Sequence, residues 1–261
     1  MHSKTFLVFI ACCFISCNAN QGGIHAISIK DSFLLKSRNI FNPYPSIAAI
    51  PVPEGFIRLK KHNNSFAQWL LHIPLKKDKA VYLYDGSLKR NQAAQFAVLD
   101  ISVGNKDLQQ CADAVMRLRA EYMFATQQYN AIVFYDNDRK SYPFKLPFTK
   151  DHLHQYLQTV FSKCGTASLS KQLHSVPIKE IKPGDVLIRG GFPGHAVLVM
   201  DVAEDAAGNK IFMLAQSYVP AQDIHVLVNV DDRSSPWYNL TDSKQIETPE
   251  YVFGVEELRR W

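Results

Sequence analysis

Two residues in this chain have the character and setting of a nucleophile and its base, Cys111 and His195. His195 follows the glycine-rich turn Gly190-Gly191-Phe192-Pro193-Gly194 and opens the apolar run Ala196-Val197-Leu198-Val199-Met200. That order predicts an imidazole presented at the head of a strand that runs into the interior of a sheet. Cys111 sits in Gln109-Gln110-Cys111-Ala112-Asp113, at the opening of a long helical pattern, where the positive end of the helix dipole favours a thiolate. A thiolate at a helix start within reach of an imidazole is an activated nucleophile. Such a pair needs a polar group to hold the ring. Hairpin register supplies Gln216, because a turn over Glu204 to Asn209 puts the residue across from His195 within one or two positions of it.

Each assignment has a plainer alternative. Cysteine is among the most often buried residue types, so Cys111 also reads as an inert core thiol, or as half of a disulfide with Cys164. His195 also reads as a core or turn histidine, and Gln216 as an amide that satisfies backbone groups at a strand end. Three further residues are candidates for binding substrate. Gln110 could donate to an oxyanion or remain a surface amide. Arg117, with Arg119, could clamp a carboxylate, or form a solvated helix face with salt bridges to Glu121. His225, in Ile224-His225-Val226-Leu227-Val228, could line the same cleft or pack within a strand. Trp69, Trp237 and Tyr238 could stack on sugars or belong to the core. His152 and His154 point to different faces of one helix with no cysteine or carboxylate cluster beside them, so no metal and no cofactor is expected.

The elements that must position these residues follow from patterning. Ser65 caps a short helix through Leu71, and Asp107 caps a long one in which Leu108, Ala112, Val115, Leu118 and Tyr122 recur at helical spacing. Asp151 to Phe161 and Ser168 to His174 read as helices. Val81 to Tyr84, Gln95 to Ile101 and Ala131 to Tyr135 read as strands. Four more strands crowd the C-terminal part, Val186 to Arg189, His195 to Val202, Lys210 to Gln216 and Ile224 to Val230, with the middle two forming a hairpin. The expected class is α+β, N-terminal helices packed on a C-terminal antiparallel sheet.

The chain has 261 residues, 47% hydrophobic and 20% charged, enough for one globular core. Met1-His2-Ser3-Lys4, the apolar Thr5 to Ile15 and then Ser16-Cys17 read as a signal peptide. Its end resembles a bacterial lipobox with Phe14 in place of the usual leucine, which makes Cys17 the expected lipidation site; ordinary secretory cleavage nearby is the alternative. The predicted plan is a signal over residues 1–17, a tether over 18–44 and one domain over 45–261, lipid-anchored in the bacterial cell envelope and facing the periplasm or the surface. No later apolar run reaches the roughly 18 residues of a membrane span. The net charge of +5 is spread in small clusters such as Arg58-Leu59-Lys60-Lys61, without the stripe of a nucleic-acid face, so a nucleic-acid partner is not expected.

Two resemblances are carried by specific residues. Asp107 to Ala114, Met116 to Tyr122, Gly184-Asp185, Pro193 to Val197, Ala215 to Tyr218 and Pro220 to His225 resemble a bacterial lipoprotein family, domain of unknown function 4846, from about Pro45 onward. More loosely, from Cys111 to Val230, the Gly-Asp strand, the Gly-His strand and a polar residue on the next strand resemble NlpC-type and CHAP-type papain-like peptidases and amidases. That second resemblance implies a papain-like core, with Cys111, His195 and Gln216 as nucleophile, base and orienting residue, and peptidoglycan peptides as substrate. The rival class is a periplasmic binding lipoprotein that keeps the cleft without the chemistry.

Overall fold

The computed structural model describes residues 41–240 and 243–261. Cys17, the signal segment and most of the tether lie outside them. In chain order the elements are β1 (Ile57–Arg58), α1 (Phe66–Leu71), β2 (Gln95–Val98), α2 (Cys111–Ala125), β3 (Val133–Tyr135), β4 (Ser141–Pro143), α3 (Lys150–Phe161), α4 (Thr166–Gln172), β5 (His174–Ser175), β6 (Val186–Arg189), β7 (His195–Glu204), β8 (Lys210–Gln216), β9 (His225–Leu227), β10 (Trp237–Asn239), β11 (Gln245–Glu247), β12 (Val252–Gly254) and β13 (Leu258–Arg260). Among the described residues the class is α+β, with four α-helices and a nine-stranded antiparallel sheet.

Strands run β2-β9-β8-β7-β6-β13-β5 across this sheet. The ten residues of β7 exceed its neighbour β6, so β6 flanks only the first half and β1 pairs with Ala203 and Glu204 at the far end. β10 likewise continues along β8 beyond β9. The sheet is therefore not purely C-terminal, since β1 and β2 join it from the first hundred residues. Val81 to Tyr84, expected as a strand, makes only single bridges, Tyr82 with Leu88 and Leu83 with Gln222. Phe41 and Asn42, expected in the tether, are already docked: Phe41 bridges Asp78 and the Asn42 amide donates to the Lys77 carbonyl at 2.8 Å.

The unbroken apolar run of β7 has a structural cause, because both faces of the sheet are covered. Ala196, Leu198, Met200 and Ala203 face a large core shared with the helices, while Val197, Val199 and Val202 face a smaller one with Phe212, Tyr238, Ile246 and Phe253. Both series break the alternation at one place. Register slips there, Val199 facing Leu214 and Asp201 facing Met213, as a β-bulge inserts one residue. The carboxylate of Asp201 is wholly buried and is neutralised by Arg58 at 2.6 Å and Lys61 at 2.8 Å.

α2 is buried on nearly every side, from Cys111 to Met123, and so lacks the polar stripe of a surface helix. Of the expected solvated, salt-bridged face of Arg117, Arg119 and Glu121, the salt bridge forms but the solvation does not. Arg117 ion-pairs with Glu121 at 2.7 Å, and Arg119 lies over the rings of Phe66, Tyr122 and Trp261. Packing rather than helix propensity holds this element, and truncating a wholly buried contact such as Leu118 to alanine should cost about 2–5 kcal/mol.

Candidate functional site

Cys111 is the first residue of α2. The helix begins later than the Asp107 cap expected from sequence, because Gln110 is the capping residue and its backbone amide donates to Asp113 Oδ2 at 3.0 Å. Asp107 does something else. Its carboxylate accepts from the Ala221 amide at 2.7 Å, and the Ser217 hydroxyl sits 2.9 Å from the Gln109 carbonyl. These contacts tie the loop after β8 to the residues just before the thiol.

Burial governs the thiol. The amides of Ala112 and Ala196 stabilise its anion, yet desolvation and the carboxyl of Asp113 outweigh them and push Cys111 up to about 11. The lowered value expected at a helix start is thereby overturned: the helix end supplies partial charge, but removal of water costs more. Asp113 is itself pushed up to about 8 by burial. Cys111 and Cys164 are both free thiols, and burial holds Cys164 at about 12.

His195 is the first residue of β7, and Gly194 explains how it gets there. A side chain at Gly194 would place its Cβ 2.6 Å from the Arg189 carbonyl oxygen and 2.8 Å from that of Gly191, and against Thr166 Oγ1 as well. Only glycine lets these strands approach so closely. The imidazole is 2% exposed and enclosed by Tyr218, Tyr251 and Phe253, with ring centroids 4.6, 4.9 and 5.8 Å away. Desolvation lowers His195 to about 4, against the raising effects of Gln216 and Glu250.

Its Nε2 lies 2.9 Å from Gln216 Oε1. Leu198 faces Ala215 across β7 and β8, so Gln216 stands one rung further on and meets His195 diagonally, a reach that long side chains on one sheet face can make. The expected partner is thus the observed one. Gln216 Nε2 then contacts Glu250 Oε2 at 2.7 Å and His225 Nε2 at 3.4 Å, while Glu250 also receives Lys89 at 2.5 Å and Asn91 at 3.1 Å. Cys111 reaches this group through the start of β7: the Ala196 amide beside the thiol belongs to the residue after His195. Tyr218 borders both, its ring against His195 and its phenol coupled to Cys111 and Glu250. Among the described residues no hydrogen bond joins the thiol to the imidazole.

The candidate substrate-binding residues fare differently. Gln110 gives its side-chain amide to Asp107 Oδ1 at 3.1 Å. Arg117 is engaged by Glu121, the Ser102 carbonyl and Gln109 Oε1, and it lines a separate cavity of about 240 Å³ with His154, Leu157, Gln158 and Phe161. His225 is wholly buried and cannot line a cleft; it stands behind Gln216 instead. Trp237 and Tyr238 are core residues, and Trp69 is half-buried against Phe66 and Tyr122. Among the described residues no group of three or more His, Cys, Asp or Glu is arranged to hold a metal ion, and no helix is long and apolar enough to cross a membrane.

The sequence profile of the family described as Domain of unknown function (4846) matches residues 47–148 and 145–260. The chain belongs to this family. In this member of domain of unknown function 4846 the matched segments contain Cys111, His195, Gln216 and every residue around them named above. Neither a search of curated proteins nor one of solved structures found a match. Five residues of the centre escape sequence reasoning as site residues: Lys89, Tyr218, Glu250, Tyr251 and Phe253. Glu250 and Tyr251 lie in the turn between β11 and β12, a hairpin outside the main sheet, and no periodicity or motif in Thr248-Pro249-Glu250-Tyr251 points toward His195.

Proposed function

We propose that this protein is a cysteine hydrolase of papain-like, NlpC/CHAP-like architecture, lipid-anchored through Cys17 in the bacterial cell envelope and cleaving peptide or amide bonds of cell-wall material. One observation carries the reading. A cysteine opens the central helix beside the backbone amide of Ala196, the residue after the histidine that opens the neighbouring strand, and a glutamine on the next strand is bonded to that histidine at 2.9 Å. This is the order and the division of labour of a thiol-imidazole-amide centre.

In this mechanism Cys111 Sγ passes its proton to His195 Nδ1 as sulfur attacks the carbonyl carbon. The imidazolium then protonates the departing amine, leaving a thioester. Water, deprotonated by the neutral ring, cleaves the thioester and restores the thiol. With the thiol near 11 and the imidazole near 4, the resting pair is uncharged. Proton transfer therefore accompanies attack rather than preceding it, and substrate entry has to open the aromatic cover of His195.

That closure favours a second reading, a non-catalytic binding lipoprotein. Incubation of purified cell-wall fragments with the protein decides between them. Release of cleaved stem peptides that is abolished by Cys111→Ala and by His195→Ala, each as severely as by the double variant, supports the hydrolase, because the two groups act as a unit. Binding of the fragments without cleavage, unaffected by either substitution, supports the alternative. Metabolic labelling with a palmitate analogue, lost in Cys17→Ala, tests the anchor.

A further inference from the structure

We infer that Glu250, held by Lys89, is a positioning residue that fixes the orientation of the Gln216 amide and through it the tautomer of His195. The role rests on the hydrolase reading, while the proton arrangement stands on hydrogen-bond geometry and burial. His225 Nδ1 lies 2.9 Å from the carbonyl oxygen of Asp223. A carbonyl oxygen only accepts, so Nδ1 carries the proton. Burial keeps the His225 ring neutral, which leaves its Nε2 as a bare acceptor.

Gln216 Nε2 faces that acceptor at 3.4 Å and the carboxylate of Glu250 at 2.7 Å. Both hydrogens of the amide nitrogen are thereby engaged. Turning the amide over would set its oxygen against a carboxylate and a bare imidazole nitrogen, two acceptor-acceptor contacts in a buried site. Gln216 Oε1 must then face His195 Nε2, which as its donor carries the ring proton. Nδ1 of His195 is left bare, the state a base needs to receive the thiol proton. Of the two acceptors, the carboxylate is the closer and the charged one, and charge-assisted bonds are roughly twice as strong as neutral ones. Lys89 at 2.5 Å, with a side chain only 6% exposed, holds the Glu250 carboxylate in place.

The β11–β12 hairpin therefore reaches into the centre from outside the main sheet with two residues, one ordering the amide and one, Tyr251, covering the ring. Sequence gives no hint of this arrangement.

The test is the tautomer itself, read by long-range proton-nitrogen NMR on protein with ¹⁵N-labelled histidine, His195 being assigned with His195→Asn. The wild type should show His195 protonated on Nε2 alone. Glu250→Met should populate the Nδ1-protonated form and slow alkylation of Cys111 by iodoacetamide at least about threefold. Glu250→Asp keeps the charge but withdraws the carboxylate by one methylene, and should shift the tautomer in the same direction should Glu250→Met not fold. Glu250→Gln combined with Lys89→Met retains an acceptor without a stranded charge and should restore the wild-type tautomer. An unchanged, Nε2-protonated His195 in folded Glu250→Met or in Glu250→Asp overturns the inference. A Glu250-dependent tautomer in a protein that cleaves nothing upholds the inference and overturns the hydrolase.

Discussion

Gln216 Oε1 lies 2.9 Å from His195 Nε2 across the hairpin of β7 and β8, and the two residues are diagonal rather than directly opposed. The diagonal matters chemically. It leaves one ring nitrogen of His195 committed to the amide and the other uncommitted, while the backbone amide of the next residue, Ala196, faces the thiol.

With Cys111 at about 11 and Cys164 at about 12, neither thiol is appreciably ionised at neutral pH. Alkylation of native Cys111 by iodoacetamide should be slow at pH 7 and rise about tenfold per pH unit until about pH 11, as the thiolate is the reactive form. Cys164 should lag behind it. Peptide mass spectrometry over a pH series measures both, and fast modification of Cys111 at pH 7 would contradict the burial argument.

Asp113 carries two roles that substitution separates. It accepts the Gln110 amide that opens α2, and its folded value of about 8 stands above that of an ordinary carboxylate. A raised value means that the folded state holds its proton more tightly, so the stabilisation is full below about pH 4 and is lost progressively as pH climbs from there to about 8. Asp113→Asn should remove that decline and speed alkylation of Cys111, whereas Asp113→Ala should cost about 1–2 kcal/mol through the lost capping-box bond to the Gln110 amide. Urea denaturation at pH 6 and 9 reads both.

His195 and His225 act in the opposite direction. Burial lowers them to about 4 and about 3, so between pH 6.5 and 4 the unfolded chain binds protons that the folded one refuses. Stability should fall as pH drops through this window, by on the order of 2–3 kcal/mol for each histidine at pH 4.5. Urea midpoints at pH 7 and 4.5 test this, and a flat profile would show that the rings are less enclosed than the geometry implies.

At Gly194 the added methyl group of alanine would meet two carbonyl oxygens and a threonine hydroxyl. Because backbone cannot step aside as a flexible side chain can, Gly194→Ala should destabilise the fold by about 2–3 kcal/mol. It should also disturb the His195 NMR signal. At Gly165, where the same atom meets nothing within 4 Å, alanine should do neither.

Much of this centre is legible because local pattern encodes it. The Gly194-His195 strand start, the Lys210-to-Gln216 strand and its turn follow from period and turn chemistry, and register alone brings Gln216 to His195. Val81 to Tyr84 misleads, since four residues of strand composition find no continuous partner and serve as single bridges. The Arg117, Arg119 and Glu121 triplet misleads only in part: the salt bridge it suggests forms between Arg117 and Glu121, but tertiary packing gives Arg119 aromatic faces where charge in a helix suggests water. Glu250, Tyr251 and Lys89 are silent in the sequence because long-range contacts alone bring them to the ring. The high thiol value is likewise a property of burial, which a helix position by itself does not reveal.

β13 has a temporal consequence. It pairs with β6, the strand that leads into the His195 turn, and Arg260 closes on Asp185 at the head of β6 with contacts of 2.6 and 2.8 Å. Between Cys111 and Arg260 a ribosome adds 149 residues, roughly 7–30 s of synthesis at 5–20 residues per second. Throughout that interval the thiol exists without the sheet that later encloses it. The nascent chain therefore passes through a period in which the sheet beside Cys111 lacks its β13 strand, and the docking of β13 ends it.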